Sequence, residues 1–340
     1  MRRRRVALAA AVAIAALAAA YSAYWFYVAG ALESGIDGWV EIQRQNGVEL
    51  AFSRDKIHGF PGDFRTNIQA PLVKMPVNGR VLTWIGADLA LRMSPFDLHA
   101  VGFSAPGAHR LEGPDGNLYI QAEALQGRIE IGPDGLLSKL SAGLAKARLT
   151  LPNAVEIQAS SARLAIALPA QPPARYPEPL VGFDLAAENL ALPAGMRLLT
   201  ADPLTRIAAA GAMLGPVPAL PVDQAAAAWR DAGGVLDLKS FAFAQGPLAV
   251  TGSATLALDR NLQPEGAASL VGRGLAPSID LLAGEGLIAP ADALKFKAFV
   301  LGAQREGADG VPEVATGLTL QDGLLSWGPF PIARLPAIAW

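Results

Sequence analysis

Ser53-Arg54-Asp55-Lys56 has the S-x-x-K spacing with which acylating serine enzymes set a lysine beside a nucleophilic hydroxyl. That chemistry needs the serine at the opening of a helix in a mixed α/β domain, with a K-T-G strand beside it. Here the serine closes a strand-like run and the sequence has no K-T-G, so the match reads as chance. His58, His99 and His109 are the remaining candidates for acid/base or metal chemistry. They are too far apart to form a local metal-ligand motif and read as surface or turn histidines. Acidic residues are scattered singly, which points to neither a glycosidase carboxylate pair nor a calcium loop.

Other cofactor signatures are also missing. Gly272-Arg273-Gly274 lacks the third glycine of a dinucleotide-binding loop, and no P-loop or G-x-S-x-G elbow occurs. With no cysteine in the chain, disulfides, thiolate-bound zinc, iron–sulfur clusters and thiol nucleophiles are excluded. A net charge of −2 and the lack of a basic stripe after residue 5 argue against nucleic acid as a partner. No cofactor is expected, and the chain reads as non-enzymatic.

The elements that remain are an anchor and a sheet. Arg2, Arg3, Arg4 and Arg5 precede an uncharged stretch from Val6 to Leu32, longer than the roughly 20 residues that cross a hydrocarbon core. By the positive-inside rule the arginines stay cytoplasmic and everything after the anchor lies outside. Tyr21, Tyr24, Trp25, Phe26 and Tyr27 fall where the helix leaves the bilayer and are expected to form an interfacial belt. The competing reading is a cleaved signal peptide, for which Ala15 to Ala20 offer small residues. Leu32, Ile36, Trp39, Val40 and Gln43 then share one helical face, predicting an amphipathic stem that ends at Asn46-Gly47. The resulting division is 1–5 cytoplasmic flank, 6–29 transmembrane anchor, 30–46 stem and 47–340 β-rich domain.

Beyond the stem the period is two. Phe64, Thr66, Ile68, Ala70 and Leu72 alternate with polar residues, as do Ala87, Leu89, Leu91 and Met93, and again Leu118, Ile120, Ala122 and Ala124. Turn signals at Asn78-Gly79, Gly113-Pro114-Asp115-Gly116, Gly132-Pro133-Asp134-Gly135 and Asp322-Gly323 leave no room for crossover helices in the first half. The fold class is therefore mainly β: an antiparallel, strongly curved sheet or sandwich with accessory helices, preceded by one transmembrane helix. Five prolines between Pro169 and Pro179 mark a connector that divides two sub-sheets or forms a loop. Asp202-Pro203 predicts a helix to about Leu214, and Pro221 to Asp231 predicts another. Helices are also expected near 277–284 and 290–302, the latter alternating enough to be a strand as well. Pro329, Pro331 and Pro336 are expected to end the domain.

The functional signal is the apolar strand face, carried by Phe64, Ile68, Leu72, Leu89, Leu91, Leu118 and Ile120. In a sandwich such a face is core; in an open curved sheet it lines a groove for acyl chains, which need apolar walls and no specific hydrogen bonds.

Tyr24-Trp25-Phe26-Tyr27, His58-Gly59-Phe60-Pro61 running into Phe64 to Pro71, and Leu318 to Leu324 resemble an uncharacterised family of bacterial envelope proteins, domain of unknown function 2125. More loosely the chain is similar to the AsmA-like proteins, which implies envelope biogenesis and lipid movement along β-built grooves. The resemblances imply a single-pass protein of the bacterial inner membrane with a periplasmic domain. The expected function is binding or shielding lipid, with membrane lipid, a lipid ligand or envelope proteins as partners. The alternatives are a scaffold for envelope partners, or a hydrolase of an envelope polymer.

Overall fold

The computed structural model describes residues 2–77, 80–114, 116–193, 203–328 and 330–338. The chain is mainly β and divides into two compact units, Met1–Glu130 with Thr150–Ala154, and Ile131–Leu149 with Val155–Trp340.

The first unit opens with one unbroken helix, α1 (Arg2–Gln45), of 44 residues, roughly 66 Å at 1.5 Å per residue. It is long and apolar enough to cross a membrane, and Leu8, Val12, Ile14 and Leu17 point away from the protein. Gly47, at φ 83°, closes the helix as its N–H bonds back to Arg44 O. In the stem, Leu32, Ile36, Val40 and Gln43 face the sheet side, whereas Trp39 is 54% exposed and does not join them.

Seven strands follow in this unit: β1 (Glu49–Arg54), β2 (Phe64–Val77), β3 (Arg80–Ile85), β4 (Leu89–Ser94), β5 (Asp97–Ser104), β6 (Gly107–Gly113) and β7 (Gly116–Ile131). Every pairing is antiparallel. The first half of β2 pairs with β4 and the second half with β3. The exchange occurs at Ala70, at φ 46°, where the register against β1 also shifts. Such a bulge bends the strand and breaks its alternation. The Asn78-Gly79 turn and Asp115 of the first G-P-D-G turn lie outside the described residues.

The second unit holds β8 (Leu137–Thr150), β9 (Glu156–Ala167), β10 (Pro179–Leu190), β11 (Leu204–Leu214), β12 (Val235–Gln245), β13 (Leu248–Leu258), β14 (Pro264–Arg273), β15 (Arg305–Glu306), β16 (Pro312–Gln321), β17 (Leu324–Trp327) and β18 (Phe330–Arg334). From β9 to β14 each strand pairs with the next, and β14 pairs with β16 across the insertion of two helices. The proline-rich stretch joins β9 to β10 as the loop of a hairpin. Within it the Ala174 N–H donates to the Glu178 carboxylate at 2.7 Å, which holds that carboxyl below its ordinary pKa.

The helix expected from Asp202-Pro203 to Leu214 is corrected: Asp202 lies outside the described residues, and Leu204–Leu214 is strand β11, paired on both edges. The helix α2 (Val222–Asp231) follows instead, as the second of the two expected there. The 290–302 ambiguity resolves to helix, α4 (Pro290–Ala303), packed with α3 (Leu275–Gly284). Pro331, one of the prolines expected to end the domain, instead lies within β18, which among the described residues pairs with β17 alone; Pro329 lies outside the described residues. An edge position tolerates Pro331 because its missing N–H is not needed by a second neighbour.

Gly274 caps α3 at φ 67°, and a Cβ there would stand 1.8 Å from the Pro247 carbonyl oxygen. Gly274→Ala is therefore expected to cost more than about 1 kcal/mol, read as a lowered denaturant midpoint. An unchanged midpoint would mean that this turn is not held as described.

Candidate functional site

The register of the second unit sorts its side chains into two unlike faces. One row runs Leu164, Leu185, Ala209, Phe241, Gly252, Leu270 and Thr316 across β9, β10, β11, β12, β13, β14 and β16. A second, on the same face, runs Ala162, Ala187, Ile207, Phe243, Val250, Gly272 and Val314. A third runs Ile166, Phe183, Gly211, Leu238, Ala254, Ala268 and Leu318. Only Thr316 interrupts these apolar rows, and its hydroxyl meets the Trp327 indole N–H. The opposite face carries Arg163, Asp184, Arg206, Asp237, Thr251, Ser253, Ser269, Arg273 and Glu313, interspersed with alanines. A bulge at Lys239 in β12 keeps the rows aligned, since Phe241 pairs with Ala209 while Leu238 pairs with Gly211.

Helices α3 and α4 cover one end of this apolar face, while α2 packs where β11 ends and β12 begins, with Ala225 and Trp229 buried and the Trp229 indole N–H donating to Leu214 O at 2.7 Å. Ala276 and Ile279 of α3 and Ala293 and Val300 of α4 bury Val314, with Phe299 edge-on to Trp327 at 5.0 Å. Toward β10 and β11 the face opens, with Leu185 at 41% and Ile207 at 44% exposure. No residue described in β8, β9, β10 or β13 is fully buried. At about 4.8 Å per strand, the seven-strand rows extend roughly 29 Å.

One ionic network in this unit lies where β14 meets β16. Hydrogen bonds to Glu313 and then to Asp309 hold the Arg273 guanidinium above its ordinary pKa. That network ties β14 to the turn before β16, with Asp309 gripping Arg273 through both oxygens at 2.8 and 3.1 Å.

In the first unit, the apolar residues expected to share one face form separate groups. Phe64 and Ile68 pair with Met93 and Leu89, and Leu91 stands opposite Thr66 on the same face. Leu118 and Ile120 pair with Leu111 and His109, where Trp84 also pairs with Leu111 and stacks on the His109 ring at 6.1 Å. Leu72 lies beyond the Ala70 bulge, opposite Ile85, on the other side of the sheet from Trp84. Leu32 and Ile36 of the stem, with Ile57, Phe64, Thr66, Leu91, Met93 and Val101, line an apolar cavity of about 160 Å³. A cavity of about 150 Å³ admits one benzene-sized apolar guest.

The aromatic belt divides between protein and surroundings. Trp25 is only 2% exposed; its indole N–H donates to Gly62 O at 2.8 Å and its ring lies 4.8 Å from Phe64. Tyr21 and Tyr24 donate to Pro61 O and Pro95 O at 2.5 and 2.7 Å. Phe26 and Tyr27 stay exposed. Arg3, Arg4 and Arg5 are exposed on the first turns of α1, while the Arg2 side chain lies outside the described residues. Glu33 accepts the Ile57 N–H at 2.8 Å and Asp37 pairs with Arg54 at 2.9 Å, so the stem is pinned along its length.

The polar candidates do not converge. Ser53 sits on β1 with its hydroxyl donating to Gln69 at 3.2 Å. His109 is buried with Nε2 2.8 Å from Ala105 O, His58 Nδ1 lies 3.2 Å from Lys56 O, and His99 is exposed. Among the described residues no three His, Asp or Glu side chains could hold a metal ion.

The apolar rows of the second unit escaped the sequence because strand register is not written in any single strand. Phe183, Leu185 and Ala187 alternate visibly, but which neighbours they meet depends on pairing.

A family model described as an uncharacterized protein conserved in bacteria, DUF2125, matches residues 25–336. No curated protein and no solved structure matches the chain, and none of these comparisons shows the looser AsmA similarity.

Proposed function

The chain belongs to the DUF2125 family of uncharacterized bacterial proteins, and from that premise we propose that it is a non-enzymatic membrane-anchored protein of the cell envelope that shields acyl chains. The anchor is α1, spanning the inner membrane with its arginines cytoplasmic, so that the strands of both units stand on the periplasmic side. The acyl chain lies on the apolar face of the second unit. The observation that carries this reading is the set of register-matched apolar rows, open where Leu185 and Ile207 are exposed.

Three physical arguments support it. Sheets usually bury an apolar face against a second layer, and a large exposed apolar patch marks a binding surface. The rows outlast a single acyl chain, which occupies about half of the roughly 30 Å hydrocarbon core. The face has no built-in polar handle among its rows except Thr316, so it selects for tails rather than headgroups.

The family match begins at Trp25, which includes the docked stem but not the first part of the span. The joint between helix and sheet is thus part of the family's domain, consistent with a body held close to its membrane.

Delipidated full-length protein, returned to vesicles of bacterial lipid extract and examined by native mass spectrometry, is expected to carry diacyl lipid. A chain that stays lipid-free under these conditions would sink the proposal.

A further inference from the structure

We infer that two loops of the first unit, Gly59–Gly62 and Pro95–Phe96, are seated in the outer boundary of the bilayer beside α1. The inference rests on the reading of α1 as a spanning helix.

The argument begins with helix length. Tyr21 and Phe26 stand 16 and 21 residues beyond Arg5, which places them about 24 and 32 Å above it along the helix axis. A hydrocarbon core is about 30 Å thick. A tilt of about 20° shortens these rises by only roughly 6%. Both loops are level with this stretch of helix: Phe96 stacks on Tyr21 at 6.1 Å, and Phe60 lies 5.2 Å from Phe26 and 5.6 Å from Trp25. If Arg5 sits at the cytoplasmic surface, the two loops are at the level where the acyl chains meet the outer headgroups.

Their chemistry suits that level. Phe96 is 84% exposed, and Phe60 is also exposed. Irregular backbone is costly in lipid because its polar groups lose water. Here Tyr21, Trp25 and Tyr24 donate to the carbonyls of Pro61, Gly62 and Pro95. Pro61 and Pro95 have no N–H to leave unpaired. The Gly62 N–H bonds to Gly59 O at 2.8 Å and the Phe96 N–H to the Ser94 hydroxyl at 3.2 Å. In water such satisfaction would be optional; at the edge of a bilayer it is required. The occupant of the exposed phenylalanine surface is therefore lipid.

The natural chain has no cysteine, which allows single environment-sensitive labels at F96C, I14C and I42C. All three positions are exposed, so none of the changes threatens the fold. Full-length protein would be reconstituted in phosphatidylcholine vesicles with a nitroxide on the acyl chain. Label 96 is expected to be quenched severalfold more by the nitroxide than label 42, and severalfold less by aqueous iodide. Label 14 reports the span separately. If label 14 is quenched by lipid while label 96 behaves like label 42, the loops are in water and the inference is wrong. If label 14 is itself open to iodide, the anchoring premise has failed and the inference falls with it.

Discussion

Trp25→Ala is expected to release the sheet from the helix and to remove about 3–5 kcal/mol of stability from the joint, the usual cost of deleting a buried tryptophan. The ring fills the space between Phe26, Phe60 and Phe64, and its N–H is the partner of the Gly62 carbonyl. Truncation therefore leaves both a cavity and an unpaired acceptor. The quantity to measure is amide hydrogen exchange across residues 57–66 in the full-length protein. Protection should fall by roughly two to three and a half decades, since each 1.4 kcal/mol is tenfold. Trp25→Phe should recover most of the packing but not the hydrogen bond, and so fall between the two, with a deficit of about 1 kcal/mol from that bond. Unchanged protection in Trp25→Ala would show that the contacts with Glu33, Asp37 and the two tyrosines hold the joint without it.

The second large effect is on lipid retention. Leu185 and Ile207 occupy exposed positions on adjacent strands, so the double change Leu185→Glu and Ile207→Glu adds two carboxylates to the apolar rows. Exposed substitutions away from special features usually alter stability by no more than about 0.5 kcal/mol. Losing the burial of even two methylene groups of a bound chain costs about 1.6 kcal/mol, at roughly 0.8 kcal/mol each. The double variant should thus fold normally and retain at least tenfold less lipid. Arg163→Glu on the opposite face, where Asp184 is its partner at 3.4 Å, is expected to retain lipid like the parent. Equal lipid loss in both variants would mean that the sheet's two faces are not distinguished by ligand.

How much of this was legible in the sequence depends on the distance over which each feature is set. The helix is local: Arg2 to Arg5 followed by an uncharged run suffices to define it. So is the hairpin character of Asp322-Gly323, which joins β16 to β17. For β11 local sequence points the wrong way, because Ala208, Ala209 and Ala210 favour helix and Asp202-Pro203 resembles a helix start. Pairing on both edges outweighs that preference, and tertiary context commonly overrides propensity by this amount. The face expected from Phe64 through Leu72 to Ile120 failed to stay continuous because the Ala70 bulge breaks alternation inside β2, and strand-by-strand alternation does not reveal bulges. Trp25 looked like its neighbours Phe26 and Tyr27 because an indole suits a membrane interface and a buried protein joint equally well; both offer an apolar bed and an acceptor. Only the approach of Gly62 and Phe64 distinguishes them.

Whether acyl chains lie on the apolar face of the second unit can be read by photocrosslinking of the full-length protein in vesicles with a phospholipid bearing a diazirine at the end of one acyl chain, with adducts mapped by peptide mass spectrometry. Adducts are expected on β10, β11 and β12, at Phe183, Leu185, Ile207, Phe241 and Phe243, in addition to those on the spanning part of α1. Adducts confined to α1, or equally frequent on the polar face at Arg163 and Asp184, would contradict it.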